Sequence, residues 1–197
     1  MGKLLVPLET YLSSGIRIGS KFKTKYMEEF IYKIRPDGLA LFNANKIDER
    51  LRIAVKFLSR YEPEDIMVVC RRENGINAVR MLGKVTGMNA VPGRYLPGTL
   101  TNTSYTFYKE AKVLFACDPW VDRNAIEDAV KVNIPVVAIC DTNNTPNNVD
   151  LVIPGNNKGR KALATMLWII AREFLKAKGK IKSDKEFPYK VEEFMGE

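Results

Sequence analysis

Five short apolar runs, separated by segments of helical period, limit what this chain can fold into more than any other feature. They are LALFN (39–43), IMVVC (66–70), VLFAC (113–117), VVAIC (136–140) and DLVIP (150–154). Each is continuous and does not alternate with polar residues, which predicts strands buried on both faces. The intervening segments repeat at 3.6 residues. IDERLRIAVKFLSRY (47–61) sets Leu51, Ala54, Val55 and Leu58 on one stripe, and INAVRMLGKVTG (76–87) ends on Gly87, a C-terminal cap. VDRNAIEDAVKVN (121–133) places Ile126, Ala129 and Val130 together, and a last helix is expected over roughly 160–178. Strands alternating with helices predict a parallel sheet between helical layers. The domain is expected over 36–179, with a basic extension at 1–35 packed on or near it and a tail at 180–197.

The chain has 197 residues, 46% of them apolar, which is enough for one core. No apolar run approaches the ~20 residues of a membrane span, and the start, broken by Pro7 and Glu9, is a poor signal peptide. Three irregularly spaced cysteines argue against a disulfide scaffold, so a cytoplasmic location is expected. Cys70, Cys117 and Cys140 each close a strand. Three thiolates for a metal are one reading, and three small core residues are the favoured one.

Histidine is absent, which removes Ser-His-Asp and Cys-His catalysis and His-containing zinc sites. The net charge of +8 favours a polyanionic partner. Cations gather at both ends. Lys3, Arg17, Lys21, Lys23, Lys25, Lys33 and Arg35 face only three acids in the first 35 residues, and the stretch 155–182 carries eight cations against Glu173.

Three constellations are candidates for chemistry. Asp118 and Asp141 follow strands at the edge where parallel sheets bind ligands. They read as metal or acid/base carboxylates, or, in preference, as a helix cap and a turn former. GRYLPGTLTN (93–102) is either a turn-rich loop or a grip for phosphate or an unstacked base, with Arg94, Thr99, Thr101 and Asn102 as its contacts. IPGNNKGRKAL (153–163) leaves a strand and enters a helix. There Gly155 permits a sharp turn, Asn156 or Asn157 caps the helix, and Lys158, Arg160 and Lys161 spread charge around its positive end. That spread suits an extended backbone better than a mononucleotide, and exposed cations of this kind are expected to add little to stability. No G-x-G-x-x-G follows LALFN, and GNNKGR lacks the spacing and hydroxyl of a magnesium-nucleotide loop.

Taken in order, YLSSGIRIGSKFKTKYMEEFIYKIRPDGLALFNANKIDERLRIAVKFLSRY, GRYLPGTLTN, ACDPWVDRNAIEDAVKVNIPVVAICDTNN and VDLVIPGNNKGRKALATMLWIIARE resemble one family over about residues 4–178. It is the small-subunit ribosomal protein S-two family, in its archaeal and eukaryotic, laminin-receptor-like branch. Only Thr103–Ala111 separates GTLTN from VLFACD, whereas the bacterial branch inserts a helical hairpin there.

The resemblance implies a flavodoxin-like α/β/α sandwich with a five-stranded parallel sheet. It also implies a place in the small ribosomal subunit, bound to ribosomal RNA and neighbouring ribosomal proteins. It implies no catalysis, no cofactor, no metal, no membrane and no small-molecule substrate. On this reading the RNA contacts are Arg17, Lys21, Lys23, Lys25, Arg35, Arg94, Thr99, Thr101, Asn102, Asn156, Asn157, Lys158, Arg160 and Lys161. The chain departs from the family pattern at three points. Arg17 stands where the family has histidine, and Thr103 and Ala111 stand where it often has proline. The competing reading is a flavodoxin-like enzyme that binds a phosphate or nucleotide between Asp118, Asp141 and Lys158.

Overall fold

The computed structural model describes residues 4–196, and Lys3, one of the amino-terminal cations, lies outside them. A short helix α1 (Leu8–Ser13) leads into an antiparallel hairpin, β1 (Ile31–Ile34) and β2 (Ala40–Phe42), closed by the Arg35–Leu39 turn. Then follow α2 (Ala44–Leu58), β3 (Ile66–Cys70), α3 (Glu73–Thr86), β4 (Asn89–Pro92) and β5 (Val113–Ala116). The chain continues through α4 (Arg123–Lys131), β6 (Val136–Cys140), β7 (Leu151–Pro154), α5 (Arg160–Ala177) and α6 (Val191–Met195).

The main sheet is parallel and five-stranded, in the order β4-β3-β5-β6-β7. The fold class and the helix stripes follow the sequence reading, but the strand list needs one exchange. LALFN is not the first strand of the parallel sheet. It pairs antiparallel with Ile31–Ile34, and the fifth parallel strand is Asn89–Pro92. In LALFN, Ala40 and Phe42 are buried while Leu41 between them is half-exposed, the alternation of a hairpin with one covered face. Asn89–Pro92 is a half-buried edge strand with only Ala90 and Val91 as a short apolar pair, so it gives almost no apolar run to read. On α4, Ile126 and Ala129 are buried, but Val130 turns outward and is 48% exposed.

The crossovers β3-α3-β4 and β5-α4-β6 leave in opposite directions along the sheet. Right-handed connections therefore put α3 and α4 on opposite faces. α5 packs between α2 and α3 on the α3 face. Its outer surface is covered in turn by the carboxyl-terminal segment, which explains why it is apolar nearly all round. Phe187 and Phe194 are buried there, and Trp168 Nε1 donates to the Tyr189 carbonyl at 2.8 Å. No helix among the described residues is long and apolar enough to cross a membrane.

Gly87 ends α3 at φ +85, a left-handed cap that only glycine adopts without strain. The start of the amino-terminal segment is held at Asp48, and Arg172 Nη2 donates to the Leu5 carbonyl (2.7 Å). Asp48 Oδ1 accepts from the Leu5 amide (2.7 Å) and the Tyr11 hydroxyl (2.9 Å), and its Oδ2 meets Arg52 at 2.7 Å. Tyr11 is fully buried, and that burial, with Asp48 beside it, pushes its phenol well up. Asp48→Ala leaves the hydroxyl and the amide without an acceptor. The expected cost is about 2 kcal/mol, seen as a melting temperature lower by roughly 4–8 °C in a thermal denaturation scan.

Candidate nucleic-acid interface

In a doubly wound sheet, ligands bind at the carboxyl ends of the strands where the crossovers diverge. Here that point lies between β3 and β5. Two loops meet over it, Arg71–Arg72 after β3 and Asp118–Asp122 after β5. Arg72 grips Asp118 Oδ2 through Nη2 (2.5 Å) and Nε (2.6 Å), and the Asp118 side chain has no exposed surface. Asp122 is also buried, and its carboxylate accepts the Arg71 amide (2.8 Å) and the Asp118 amide (3.1 Å). The chain's own ion pair bridges this point, while a cleft of about 460 Å³ stays open beside it between the Pro119–Trp120 and Asn143–Asn148 loops. The true first strand-to-helix loop reads CRRENG (70–75) and contributes two arginines where a dinucleotide fold needs glycines.

The network continues under the ends of β6 and β7. Asp118 Oδ1 accepts from the Trp120 amide and from Asn144 Nδ2. Asp118 therefore orders its own turn and does not cap α4, whose start has no side-chain cap. Asn144 Oδ1 receives the Asp141 amide (2.7 Å) and Asn157 Nδ2 (2.9 Å), and Asp141 Oδ1 takes the Thr142 amide. Lys158 Nζ closes the system on Asp141 Oδ2 at 2.7 Å. Asp118 and Asp141 are thus both paired with cations and saturated with donors.

The cysteines lie in the core, all three fully buried. A hydrogen bond with Cys70 and burial push the Cys117 thiol far up, and burial does the same for Cys140. Neutral thiols of this kind are poor metal ligands.

Burial also pushes the Asp122 carboxyl up to about 6, against the two amides that favour its ionised form. The folded state holds this proton more tightly than the unfolded chain does. Its contribution to stability is therefore complete below the unfolded value and is lost as pH rises through about 6. Lowering the pH from 7 to 5 recovers about 1.4 kcal/mol from this group. In melting curves at the two pH values, Asp122→Asn should lose a gain of roughly 3–5 °C that the wild type shows.

The turn 154–159 differs in detail from its sequence reading. Gly155 is not needed for a left-handed turn. It passes close to the core instead: a Cβ there would stand 2.8 Å from Sδ and Cε of Met166, so a larger residue would have to displace the end of that side chain. Asn156 holds the turn, its Oδ1 accepting the Lys158 and Gly159 amides while Nδ2 reaches the Gly15 carbonyl. Neither asparagine caps α5, whose N-cap is Gly159. Asn157 is fully buried, donating to Ile139 and Asn144, so it positions the turn from below. Lys158 and Arg160 are not merely solvated cations. Lys158 neutralises buried Asp141, so its removal carries a stability cost that the sequence did not reveal. Arg160 donates to the Met195 carbonyl through Nε and Nη2. Lys161 is exposed.

The same turn carries the amino-terminal segment. Asn156 donates its backbone amide to Ile16, Ser20 donates its amide to Thr142 Oγ1 (2.8 Å), and Thr24 is bonded to Thr142 and Asn144. Gly19 passes so close that a Cβ would sit 2.6 Å from Thr142 Cγ2. This latch leaves Lys21, Lys23 and Lys25 exposed above the sheet edge. A shallow cleft of about 570 Å³ has walls that include Lys21, Phe22, Lys158 and Gly159. Arg17 donates Nε to the Phe42 carbonyl (2.9 Å) and lies over the Tyr32 ring at 5.8 Å, while Arg35 pairs with Asp37 at 3.1 Å.

The other candidates lie on a loop after β4, at the opposite side of the sheet. Asp128 of α4 anchors that loop, accepting from the Tyr95 hydroxyl (3.1 Å) and the Gly98 amide (2.9 Å). Although burial opposes its ionisation, those donors and Lys131 hold its carboxyl below the usual range. Arg94, Thr101 and Asn102 are exposed, whereas Thr99 is buried and donates to the Leu96 carbonyl. Residues 17–35 and 156–161 thus form one continuous region, and Arg94, Thr101 and Asn102 a second. The sequence reading missed Arg72, Phe22 and Tyr32. The arginine pair in CRRENG and the alternation KFKTK were the available signals.

These features define a flavodoxin-like α/β domain whose switch point is bridged by its own ion pair and whose exposed cations gather on the segment leading into an appended hairpin. The chain belongs to the ribosomal protein S2 family, whose model matches residues 11–112 and 105–177. It is 49% identical over 192 residues to the small ribosomal subunit protein uS2 of Methanococcus maripaludis strain C5, an alignment covering 98% of this chain and 86% of that protein. The uS2 proteins of Nanoarchaeum equitans (48% identity over 96% of this chain and 94% of the relative) and Pyrobaculum neutrophilum (47% over 96% and 93%) are similarly close.

Proposed function

We propose that this chain is a structural, non-catalytic constituent of the small ribosomal subunit, holding ribosomal RNA and adjacent ribosomal proteins in the cytoplasm. The observation that carries this reading is the ion pair bridging the switch point. At the point where a flavodoxin-like enzyme turns its ligand-binding loops toward a ligand, Arg72 and Asp118 are turned toward each other. The available charge lies instead on the segment before the hairpin and beside the start of α5. Lys21, Lys23 and Lys25 project from the latch, with Lys161 exposed beyond the turn. Their spacing suits successive phosphates of an extended backbone. Asn156, Asn157 and Thr99 serve by fixing the loops that present the cations. Arg94, Thr101 and Asn102 supply a second, smaller contact to RNA or to a neighbouring protein.

Isothermal titration tests the choice between scaffold and enzyme. A small-subunit RNA fragment should give a saturable isotherm at low salt. ATP, GTP, NAD and FMN should give none at low micromolar concentration. A clear isotherm with one of the nucleotides would favour the enzyme.

A further inference from the structure

The hairpin region carries large exposed aromatic side chains that the core does not use. Phe22 is 79% exposed and Tyr32 67%. Singly exposed rings are ordinary on a protein surface, so these two carry an argument only through what surrounds them. Their surroundings decide the partner. Residues 17–35 carry six cations, Arg17, Lys21, Lys23, Lys25, Lys33 and Arg35, against Glu28 and Glu29. Phe22 shares its 570 Å³ cleft with Lys21 and Lys158. Tyr32 lines a second cleft, of about 480 Å³, with Lys23 and Lys33, and Arg17 lies over its ring.

Resting on the RNA reading above, we infer that this face holds an unpaired stretch of RNA, with Phe22 and Tyr32 stacking on bases and the lysines around them meeting the flanking phosphates. A duplex shows its phosphates but hides its base faces, so it would use the cations and leave both rings in water. A single strand offers π-faces and phosphates together, the pairing that non-sequence-specific single-strand sites use. An apolar protein surface would have to bury Lys21, Lys23 and Lys33 beside the rings, where Asp141 is already taken by Lys158 and Glu28 is the one other acid lining either cleft.

The test uses the full chain, a mixed-sequence single-stranded RNA and a blunt RNA duplex, with fluorescence anisotropy across a salt series. The wild type should prefer the single strand. Phe22→Ala and Tyr32→Ala should each weaken single-strand binding by about 10-fold. Duplex binding and the salt slope should stay as they were, because no phosphate contact is removed. Tyr32→Phe, which keeps the ring, should bind like the wild type, and Phe22→Trp should change its emission on adding single-stranded but not duplex RNA. Both rings are exposed, so melting temperatures should be unchanged. Alanine variants that bind single strands as well as the wild type would overturn the stacking while leaving RNA binding intact. A wild type that binds neither RNA would overturn both this inference and the reading it rests on. An emission change of Phe22→Trp with poly-glutamate and not with RNA would assign the face to an acidic protein instead.

Discussion

Replacing Lys21, Lys23 and Lys25 together with alanine should weaken binding to small-subunit RNA by roughly 100-fold at 0.1 M salt. The three side chains are exposed on a segment latched to the sheet edge through Ser20, Thr24 and Thr142. If the wild type neutralises about six phosphates, log affinity falls against log salt with a slope of roughly −4 to −5, and the triple variant should fall to about −2. Filter binding over a salt series reads both numbers. An unchanged slope would mean that these lysines do not meet phosphates, whatever happens to affinity at one salt concentration. Lys158→Ala is a poor substitute for this test, since it also leaves Asp141 buried without its cation.

The second large effect is on stability. Arg72→Ala removes the only cation that contacts Asp118 at ion-pair distance among the described residues, and the Asp118 side chain is fully buried. Stranding that charge is expected to cost about 3–5 kcal/mol, or a melting temperature lower by roughly 6–20 °C. The contrast that identifies the cause is the double variant Arg72→Met with Asp118→Leu. Exchanging both partners of a buried pair for apolar groups of similar size is often nearly neutral. Here recovery should be incomplete, because the Trp120 amide and Asn144 Nδ2 lose the oxygen they donate to. A loss below about 1 kcal/mol in Arg72→Ala would show that water or another donor replaces the guanidinium.

How far the sequence revealed this fold depended on which physical signal each element carries. The strands β3, β5 and β6, and β7 at the far edge, are buried over most of their length, so their apolar runs stood out, and Gly87 marked the end of α3 by its left-handed backbone. Asn89–Pro92 did not, because an edge strand that is half-buried along its whole length needs few apolar residues. LALFN looked like an interior strand because a hairpin packed on a core also buries a run of apolar residues, and only pairing separates the two cases.

The site was legible as charge and not as geometry. Lys21, Lys23 and Lys25 read as exposed cations and are exposed. Lys158 and Arg160 read the same way but are drawn to Asp141 and to the Met195 carbonyl, acceptors that arrive from elsewhere in the chain. Asn157 read as a cap or a contact, and its burial depends on Ile139 and Asn144, which no local pattern brings to it. Arg72 carried only the arginine pair of CRRENG as a signal, and its partner lies 46 residues away.

The most direct test of the account is sedimentation. Tagged full-length chain expressed in its native cells should co-migrate with small ribosomal subunits through a sucrose gradient at low salt and be released as the salt is raised. The triple lysine variant should shift toward the free-protein fractions under conditions that keep the wild type bound. Recovery of the wild type only at the top of the gradient, at every salt concentration, would contradict the account.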